Sequence, residues 1–363
     1  MSDVTQQQVE AAIAQYNDPY LGQDLVSAGA VKQISVEGDT VSLSIQLGFP
    51  VEGYRAHLVD ILREHVGKLA GVSHVNVDLQ SKIVPHKVQQ GVQPLKSIKN
   101  IIAIASGKGG VGKSTTSVNL ALALAAEGGK VGILDADIYG PSQPRMLGID
   151  RKPDSKDGKT MEPLQAYGIE AMSIGFLIDE ETPMIWRGPM VTQALEQMLS
   201  DTNWSDLDYL VIDLPPGTGD IQLTLSQRVP VSGAVIVTTP QDIALLDARK
   251  ALKMFEKVNV PVFGVIENMS LHICTKCGHE EHIFGHGGGA QMAEQYNVDF
   301  LGALPLDMSI RQQADGGEPT VVADKDGRIS QIYREIARGL AAKLSLSSKD
   351  YSNKFPNIVI KNN

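Results

Sequence analysis

Cysteine, positive charge and long apolar segments are scarce in this chain, and each shortage excludes a class of protein. The 363 residues carry a formal net charge of -10, so the chain lacks the basic surplus that nonspecific binding to DNA or to anionic lipid requires. No apolar run approaches the roughly 18 residues that cross a bilayer, and residues 1–8 contain no basic segment followed by an apolar one. We therefore expect a cytoplasmic protein with neither nucleic acid nor membrane as a partner.

The chain has only two cysteines, Cys274 and Cys277, which lie three positions apart. A structural disulfide is disfavoured in the cytoplasm, and a thioredoxin-like pair would place its first cysteine at a helix N-terminus after a strand. Two thiols are half of a typical metal site. Neighbouring histidines make a Cys₂His₂ zinc site an alternative, although only four residues separate Cys277 from His282, far fewer than in a zinc finger. These histidines are His272, His279, His282 and His286.

A glycine-rich segment between two apolar stretches is the most informative part of the sequence. The run 101–105 before it predicts a strand, and the run 117–125 after it predicts a helix. In such a unit, backbone N–H groups and the helix N-terminus wrap a triphosphate, a lysine (here Lys113) reaches the β and γ oxygens, and a hydroxyl (here Ser114) ligates Mg²⁺. The predicted nucleotide-binding residues of this phosphate loop are Gly107, Lys108, Gly109, Gly110, Val111, Gly112, Lys113, Ser114 and Thr115.

Lys108 is an additional lysine that an ordinary phosphate loop does not need. With it, the segment resembles the GKGGVGKS/T motif of the deviant phosphate-loop ATPases, a group that includes MinD, ParA and the nitrogenase iron protein. In those relatives the first lysine crosses a dimer interface to the partner's nucleotide, much as an arginine finger does. The resemblance implies that Lys108 acts in trans, within a homodimer that encloses the nucleotides.

Residues 100–347 alternate between apolar runs and helical patterns. Runs that are apolar on both faces are typical of parallel strands covered by helices, so we predict a doubly wound α/β domain with a mostly parallel sheet. Ligands of such sheets lie at the carboxyl ends of the strands. The predicted strands are 131–134, 209–212, 234–237 and 260–266, and the predicted helices include 189–199 and 242–258, the latter capped by residues 239–242.

Acidic residues follow two of the predicted strands. Asp135 and Asp137 follow 131–134 directly and lie two positions apart. The resemblance implies that Asp137 positions the attacking water and that Asp135 helps to organise Mg²⁺, while loop capping by one of the pair is the alternative. Asp213 corresponds to the Walker B carboxylate that holds Mg²⁺ through water, and Gly217 is placed to present its N–H to the γ-phosphate.

Three later residues match the adenine-contacting positions of these relatives, namely Asn268, Pro305 and Asp307. An asparagine amide offers both a donor and an acceptor. Pairing of Asn268 with adenine would favour ATP over GTP.

Residues 1–84 predict a small αββαβ unit that precedes a linker at 85–99. The pair Asp18-Pro19 after its first helix and a strand with the residues Gly71, Val72, Val75 and Val77 resemble the PaaD-like domain of iron–sulfur assembly proteins. Many members of that family carry a cysteine after the second strand, whereas residues 49–53 have none here. We therefore interpret the unit as a docking module. Residues 348–363 form a C-terminal tail.

A homodimer would complete the half site of Cys274 and Cys277. A twofold axis beside the two thiols brings four thiolates together, the usual complement of a 4Fe-4S cluster. The sequence resembles the Mrp/ApbC iron–sulfur cluster carriers over essentially the whole chain. The resemblance is carried by the two cysteines and by the segments 267–270, 283–288 and 186–190. The resemblance implies an ATP-hydrolysing carrier whose dimer holds a labile cluster, receives it from a donor and passes it to apoproteins.

Two other functions compete with this interpretation. The first is a MinD/ParA-like positioning ATPase with a structural zinc site, but residues 351–356 of the tail form no basic amphipathic membrane helix. The second is an electron-transfer reductase like the nitrogenase iron protein. That protein places its ligand cysteines far apart in sequence, whereas Cys274 and Cys277 are near neighbours.

Overall fold

The computed structural model of the protein describes residues 4–89, 91–178, 188–274 and 276–347. Its N-terminal part contains a three-stranded sheet in which the first pair is antiparallel and the second pair is parallel. A short two-stranded pair, which the sequence pattern does not predict, follows the first helix. The elements are α1 (Gln6–Ile13), β1 (Asn17–Asp18), β2 (Gln23–Asp24), β3 (Val31–Glu37), β4 (Thr40–Leu47), α2 (Arg55–Gly67) and β5 (His74–Ser81).

Local sequence explains the boundaries of these elements. Thr5 and Gln8 form a capping box that satisfies N–H groups at the start of α1. Strand β4 alternates between partly exposed and buried residues over its whole length, because one face covers the helices and the other faces out.

In the described part of the chain, the large sheet has eight strands in the order β15-β12-β11-β6-β10-β7-β9-β8, and every pair is parallel except β8 with β9. A separate hairpin, β13 with β14, follows β12. The strands are β6 (Ile98–Ala105), β7 (Val131–Asp135), β8 (Leu164–Ala166), β9 (Ile169–Ser173), β10 (Leu207–Asp213), β11 (Gly233–Thr238), β12 (Val262–Glu267), β13 (His272–Ile273), β14 (Glu280–Glu281) and β15 (Asp299–Ala303).

Helices connect these strands and cover the sheet. They are α3 (Lys113–Ala126), α4 (Gln143–Met146), α5 (Gly188–Ser200), α6 (Asp220–Arg228), α7 (Asp242–Lys257), α8 (Gly288–Gln295), α9 (Met308–Asp315), α10 (Thr320–Ala323) and α11 (Arg328–Ser345). The predicted fold class is therefore confirmed. The predicted capping of α7 is wrong in detail, because its N-cap residue Gln241 makes no capping bond and its side chain instead accepts a hydrogen bond from the Thr239 hydroxyl.

The strand order places one candidate site at the centre of the sheet. β6 lies between β10 and β11, and the chain leaves it through α3 toward β7 on one side. Such a reversal of strand order opens a crevice at the carboxyl ends. Among the described residues, no helix is long and apolar enough to span a bilayer.

Candidate functional site

The phosphate loop runs from the end of β6 to the start of α3, and two of its glycines are required by its shape. Gly110 and Gly112 have φ angles of 80° and 82°, which side-chain-bearing residues rarely adopt. Gly107 is required for another reason, since a Cβ there would lie 2.0 Å from the backbone carbonyl carbon of Asp247 in α7. The loop is thus packed closely against α7 at Gly107.

Lys113 and Asp213 meet beneath this loop. The Lys113 Nζ lies 2.5 Å from Asp213 Oδ1, and their side chains are 6% and 0% exposed. Ser117 also donates to Oδ1, at 3.0 Å, and the amide of Gln143 donates to Oδ2, at 2.9 Å. A salt bridge that is buried from solvent needs such additional hydrogen bonds, because an unpaired charge in the protein interior costs several kcal/mol. The predicted phosphate lysine and Walker B aspartate are therefore brought into one network.

Asp135 is wholly buried beside this network. Its carboxylate accepts hydrogen bonds from the backbone N–H groups of Asp137, Ser142 and Gln143 and from the Ser173 hydroxyl. Burial and then repulsion from the Asp213 carboxylate raise the pKa of Asp135 to about 7. The contacts are those of a residue that caps a loop, which was the alternative to its predicted role at Mg²⁺.

Asp137 is partly exposed at the same sheet edge. Burial raises the pKa of its carboxyl, while the positive charge of Lys113 opposes that effect. Its predicted role in positioning water stays a prediction. Lys108 is exposed on the loop, and its carbonyl accepts a hydrogen bond from the Ser106 hydroxyl at 3.0 Å.

Gly217 lies in the turn after β10, where its φ of 101° requires glycine. Its N–H donates to the Ser106 carbonyl at 2.9 Å, so the turn is fastened to the start of the phosphate loop. The N–H that was predicted for the γ-phosphate is engaged within the protein in this state.

The three predicted adenine-contacting residues lie near the ends of β12 and β15. Asn268 is buried, and its amide donates to the Val111 carbonyl of the phosphate loop at 2.8 Å. Pro305 and Asp307 line a cavity of about 530 Å³ between residues 270–273 and the start of α11. Asp307 also caps α9 by accepting from the Ser309 N–H. Adenine recognition by these residues stays a prediction.

The two cysteines lie at the tip of the hairpin formed by β13 and β14, here called the cysteine hairpin (residues 272–281). Cys274 is partly buried and Cys277 is exposed, and both are free thiols. The N–H of Cys274 donates to the His279 carbonyl, which closes the hairpin, and Gly278 turns back toward Cys274. Backbone N–H groups of Lys276 and Cys277 lower the pKa of the Cys274 thiol, as suits a thiolate ligand.

The histidines near this hairpin were the candidate ligands of the alternative zinc site. Within the described parts of the chain, no three His, Cys, Asp or Glu side chains converge closely enough to hold a metal ion. His282 bonds through Nδ1 to the Ser270 carbonyl at 2.7 Å, and His272 bonds to the Leu306 carbonyl at 3.0 Å. The ring of His282 also lies beside that of His286 in a tilted arrangement, with ring centroids 4.8 Å apart.

Gln143 and Ser117 are site residues that sequence reasoning missed. Ser117 lies one turn after Lys113 on α3, so helical spacing could have placed it beneath the loop. Gln143 follows Asp135 by eight positions and begins the short helix α4, and no pattern in the sequence marks it. Its Oε1 and the Ser142 Oγ are buried without a protein partner.

A strand, a glycine loop, a helix and an acidic residue on the neighbouring strand define this protein as a P-loop nucleotide-binding protein. Residues 97–341 match the family model described as NUBPL iron-transfer P-loop NTPase, of the ParA group. Residues 6–79 match the model of an iron-sulfur cluster assembly protein. The chain belongs to the NUBPL iron-transfer P-loop NTPase family, which confirms the resemblance drawn from its motifs.

Individual relatives agree with this assignment. The chain is 51% identical over 340 residues to an iron-sulfur cluster carrier protein of Haemophilus influenzae, covering 93% of this chain and 92% of that one. It is 50% identical over 257 residues to the mouse iron-sulfur cluster transfer protein NUBPL, covering 70% and 81%. The nucleotide-binding protein from Archaeoglobus fulgidus, solved with ADP, has a TM-score of 0.57 at 38% identity and covers 65% and 93%. Residues Trp186 and Arg187 of the carrier resemblance, and the tail 348–363, lie outside the described residues.

Proposed function

We propose that this protein is an iron–sulfur cluster carrier whose homodimer binds a labile 4Fe-4S cluster, hydrolyses ATP and transfers the cluster to apoproteins. The main support for this proposal is the cysteine hairpin, which presents two thiols with no third ligand from the described part of the same chain. A second copy supplies the other two thiolates of a Cys₄ site. Exposure of the hairpin explains how a cluster donor and a recipient can reach the ligands.

An exposed apolar surface beside the phosphate loop supports the homodimer. Ile243 and Leu246 lie on the outer face of α7, next to Asp247, whose backbone contacts Gly107. Ile283, also exposed, follows the cysteine hairpin in a loop that approaches Pro240 at the start of α7. We call these three side chains the apolar patch. The patch lies on the helix that contacts the phosphate loop at Gly107 and on the segment that follows the cysteine hairpin, so one contact with a second copy would involve both sites.

The buried network suits Mg²⁺ and ATP. The Ser114 hydroxyl and the Asp213 carboxylate would hold the ion, and the orphaned Gln143 Oε1 and Ser142 Oγ can bond to the water that surrounds it. Bound Mg²⁺ offsets charge on the phosphates. Lys113 then exchanges Asp213 for the β and γ oxygens, while Asp137 orients the attacking water and Lys108 reaches the partner's nucleotide.

Anaerobic reconstitution tests the carrier function. Iron, sulfide and zinc are measured per chain, and the mass in solution is followed by light scattering with Mg-ATP. We expect about four irons per dimer, because one Cys₄ site is shared by two chains. A full cluster on a strict monomer contradicts the bridging site. One tight zinc per chain that His282→Ala removes would support a positioning ATPase with a structural zinc site instead.

A further inference from the structure

Asn268 joins the phosphate loop directly to the segment that carries the cysteines. It follows the last residue of β12, is 8% exposed, and donates from Nδ2 to the Val111 carbonyl at 2.8 Å. Its Oδ1 accepts from the N–H of Met269 at 2.9 Å, which fixes the orientation of the amide. Nδ2 is so close to the loop that a Cβ at Gly112 would lie 2.1 Å from it.

Met269 reinforces this contact at the cost of backbone strain. Its φ is 57°, a left-handed conformation that a residue with a long side chain adopts only where its surroundings hold it. Its Cε lies 3.8 Å from the position of a Cβ at Gly112, so the side chains of Asn268 and Met269 both lie beside Gly112. The strained residue therefore stands between the nucleotide site and the cysteines.

Residues 270–273, here called the stem, connect Met269 to Cys274 and are held by several hydrogen bonds. Ser270 donates to the Leu304 carbonyl at 3.0 Å and accepts from His282 at 2.7 Å. Leu271 accepts from the N–H of Leu306 at 2.8 Å. Because hydrogen bonds hold the stem in one conformation, we expect a displacement of residues 268–269 to move the hairpin tip as well.

We propose that the Asn268–Val111 hydrogen bond couples occupancy of the phosphate loop to the exposure of the Cys274 thiol. Binding of phosphates by the loop N–H groups reorients the peptide that bears the Val111 carbonyl, and the hydrogen bond from Asn268 breaks. Met269 then leaves its left-handed conformation, and residues 270–273 move with it. Asn268 is thus a positioning residue for the cysteines. The proposal rests on the proposed function for the identity of the cargo, but the coupling itself involves only nucleotide and thiols.

The cysteine content of the chain gives a direct test. Cys274 and Cys277 are its only cysteines, so alkylation by iodoacetamide reports on the hairpin alone. Cluster-free full-length protein is treated with saturating Mg-ADP or with none, light scattering selects monomeric samples, and mass spectrometry separates the two thiols. We expect Cys274 to react at least about fivefold faster with nucleotide, the lower end of typical coupling between sites.

Variants isolate the hydrogen bond. Asn268→Asp keeps the acceptor for Met269 but removes the donor to Val111, and Asn268→Ala removes both. Each is measured at nucleotide saturation determined from its own Kd, and we expect both to lose the nucleotide effect on Cys274. Asn203→Ala, at an exposed asparagine that bonds to Thr160 and Glu162, should keep it.

Two results would overturn the coupling. One is a wild-type Cys274 whose alkylation rate ignores Mg-ADP, and the other is an Asn268→Asp protein that responds as the wild type does. Neither result touches the carrier function, which fails separately if the reconstituted wild type binds no iron and sulfide.

Discussion

At the scale of single residues, Lys113 determines whether the site works. We predict that Lys113→Ala slows ATP hydrolysis by about 10²–10³-fold or more, because the charge on the β and γ phosphates loses its buried counter-charge. The same change leaves the buried Asp213 carboxylate without its salt-bridge partner, whose Nζ lies 2.5 Å from Asp213 Oδ1 in the wild type. The free energy of unfolding should therefore fall by about 3 kcal/mol. ATP turnover and urea unfolding measure the two effects.

Two variants act as controls for Lys113. Lys108 is exposed and Asp137 is partly exposed, so neither Lys108→Ala nor Asp137→Ala should cost comparable stability. Both should keep appreciable nucleotide binding while slowing hydrolysis. If either lost binding as completely as Lys113→Ala, its assigned role would be wrong, and wild-type turnover by Lys113→Ala would refute the site itself.

Asp135 predicts a pH dependence of stability with a definite sign. Its pKa is raised from 3.8 to about 7, chiefly by burial. Between these values the unfolded chain releases the proton while the folded protein retains it, so the free energy of unfolding falls as the pH rises from about 4 to about 7. Below that range both states are protonated and the contribution is intact.

The Asp135→Asn variant isolates this term, since asparagine does not titrate. Urea unfolding of both proteins across the same pH range should show the wild type losing stability relative to the variant as pH rises. A parallel pair of curves would mean that Asp135 ionises normally. Asp157→Asn is a useful comparison, because backbone N–H groups of Thr160 and Lys159 lower the pKa of Asp157 and reverse the sign.

At the scale of elements, the phosphate loop depends on Gly112. Alanine there would combine a φ of 82° with a Cβ 2.1 Å from Asn268 Nδ2. We expect Gly112→Ala to cost about 1–3 kcal/mol of stability and to abolish measurable nucleotide binding by calorimetry. Gly339 of α11 provides the control, since a Cβ there would meet nothing within 4 Å and alanine should add about 1 kcal/mol of stability. Normal ADP affinity in Gly112→Ala would contradict the loop geometry.

The cysteine hairpin should be separable from the rest of the fold. No described residue at its tip contributes a side chain to the hydrophobic core. We predict that Cys274→Ser or Cys277→Ser loses almost all bound iron, because each change removes two of the four thiolates in a shared site and serine is a poor ligand for iron and sulfide. Circular dichroism and nucleotide binding should stay unchanged, and full iron content in either variant would exclude the bridging cluster.

At the scale of the whole molecule, the N-terminal part is fastened to the nucleotide-binding part at the end of α3. The buried carboxylate of Glu127 lies 2.7 Å from Arg334 Nε and accepts the N–H of Gly53 at 3.0 Å. Arg338, which also faces Glu127, lies over the rings of Tyr20 and Tyr54. The helix that begins at the phosphate loop therefore ends in the contact between the two parts.

Loss of this ion pair should loosen the molecule without changing its chemistry. We expect Glu127→Gln to lower the free energy of unfolding by about 3 kcal/mol, since it leaves Arg334 and Arg338 without their buried partner. Limited proteolysis should then cut the 85–99 segment faster. Glu196→Gln, which breaks an exposed pair with Arg228, should cost at most about 1 kcal/mol. Equal behaviour of the two variants would show that the buried contact stabilises the protein no more than an exposed ion pair does.

The sequence by itself determined the fold class and the residue types of the chemistry. Continuous apolar runs indicated the parallel sheet, and the loop from Gly107 to Thr115 and Asp213 indicated the nucleotide site, because local periodicity and motif spacing carry that information. The two cysteines, three positions apart, indicated half of a metal site for the same reason.

Only the tertiary structure decided which groups meet. Gln143 joins Asp213 across 70 positions of sequence, and Asn268 joins Val111 across 157. It also engaged His272 and His282 with backbone carbonyls instead of with the cysteines. These contacts depend on how parallel strands align at one sheet edge, which brings together loops that are distant in sequence and leaves no periodic signal along the chain.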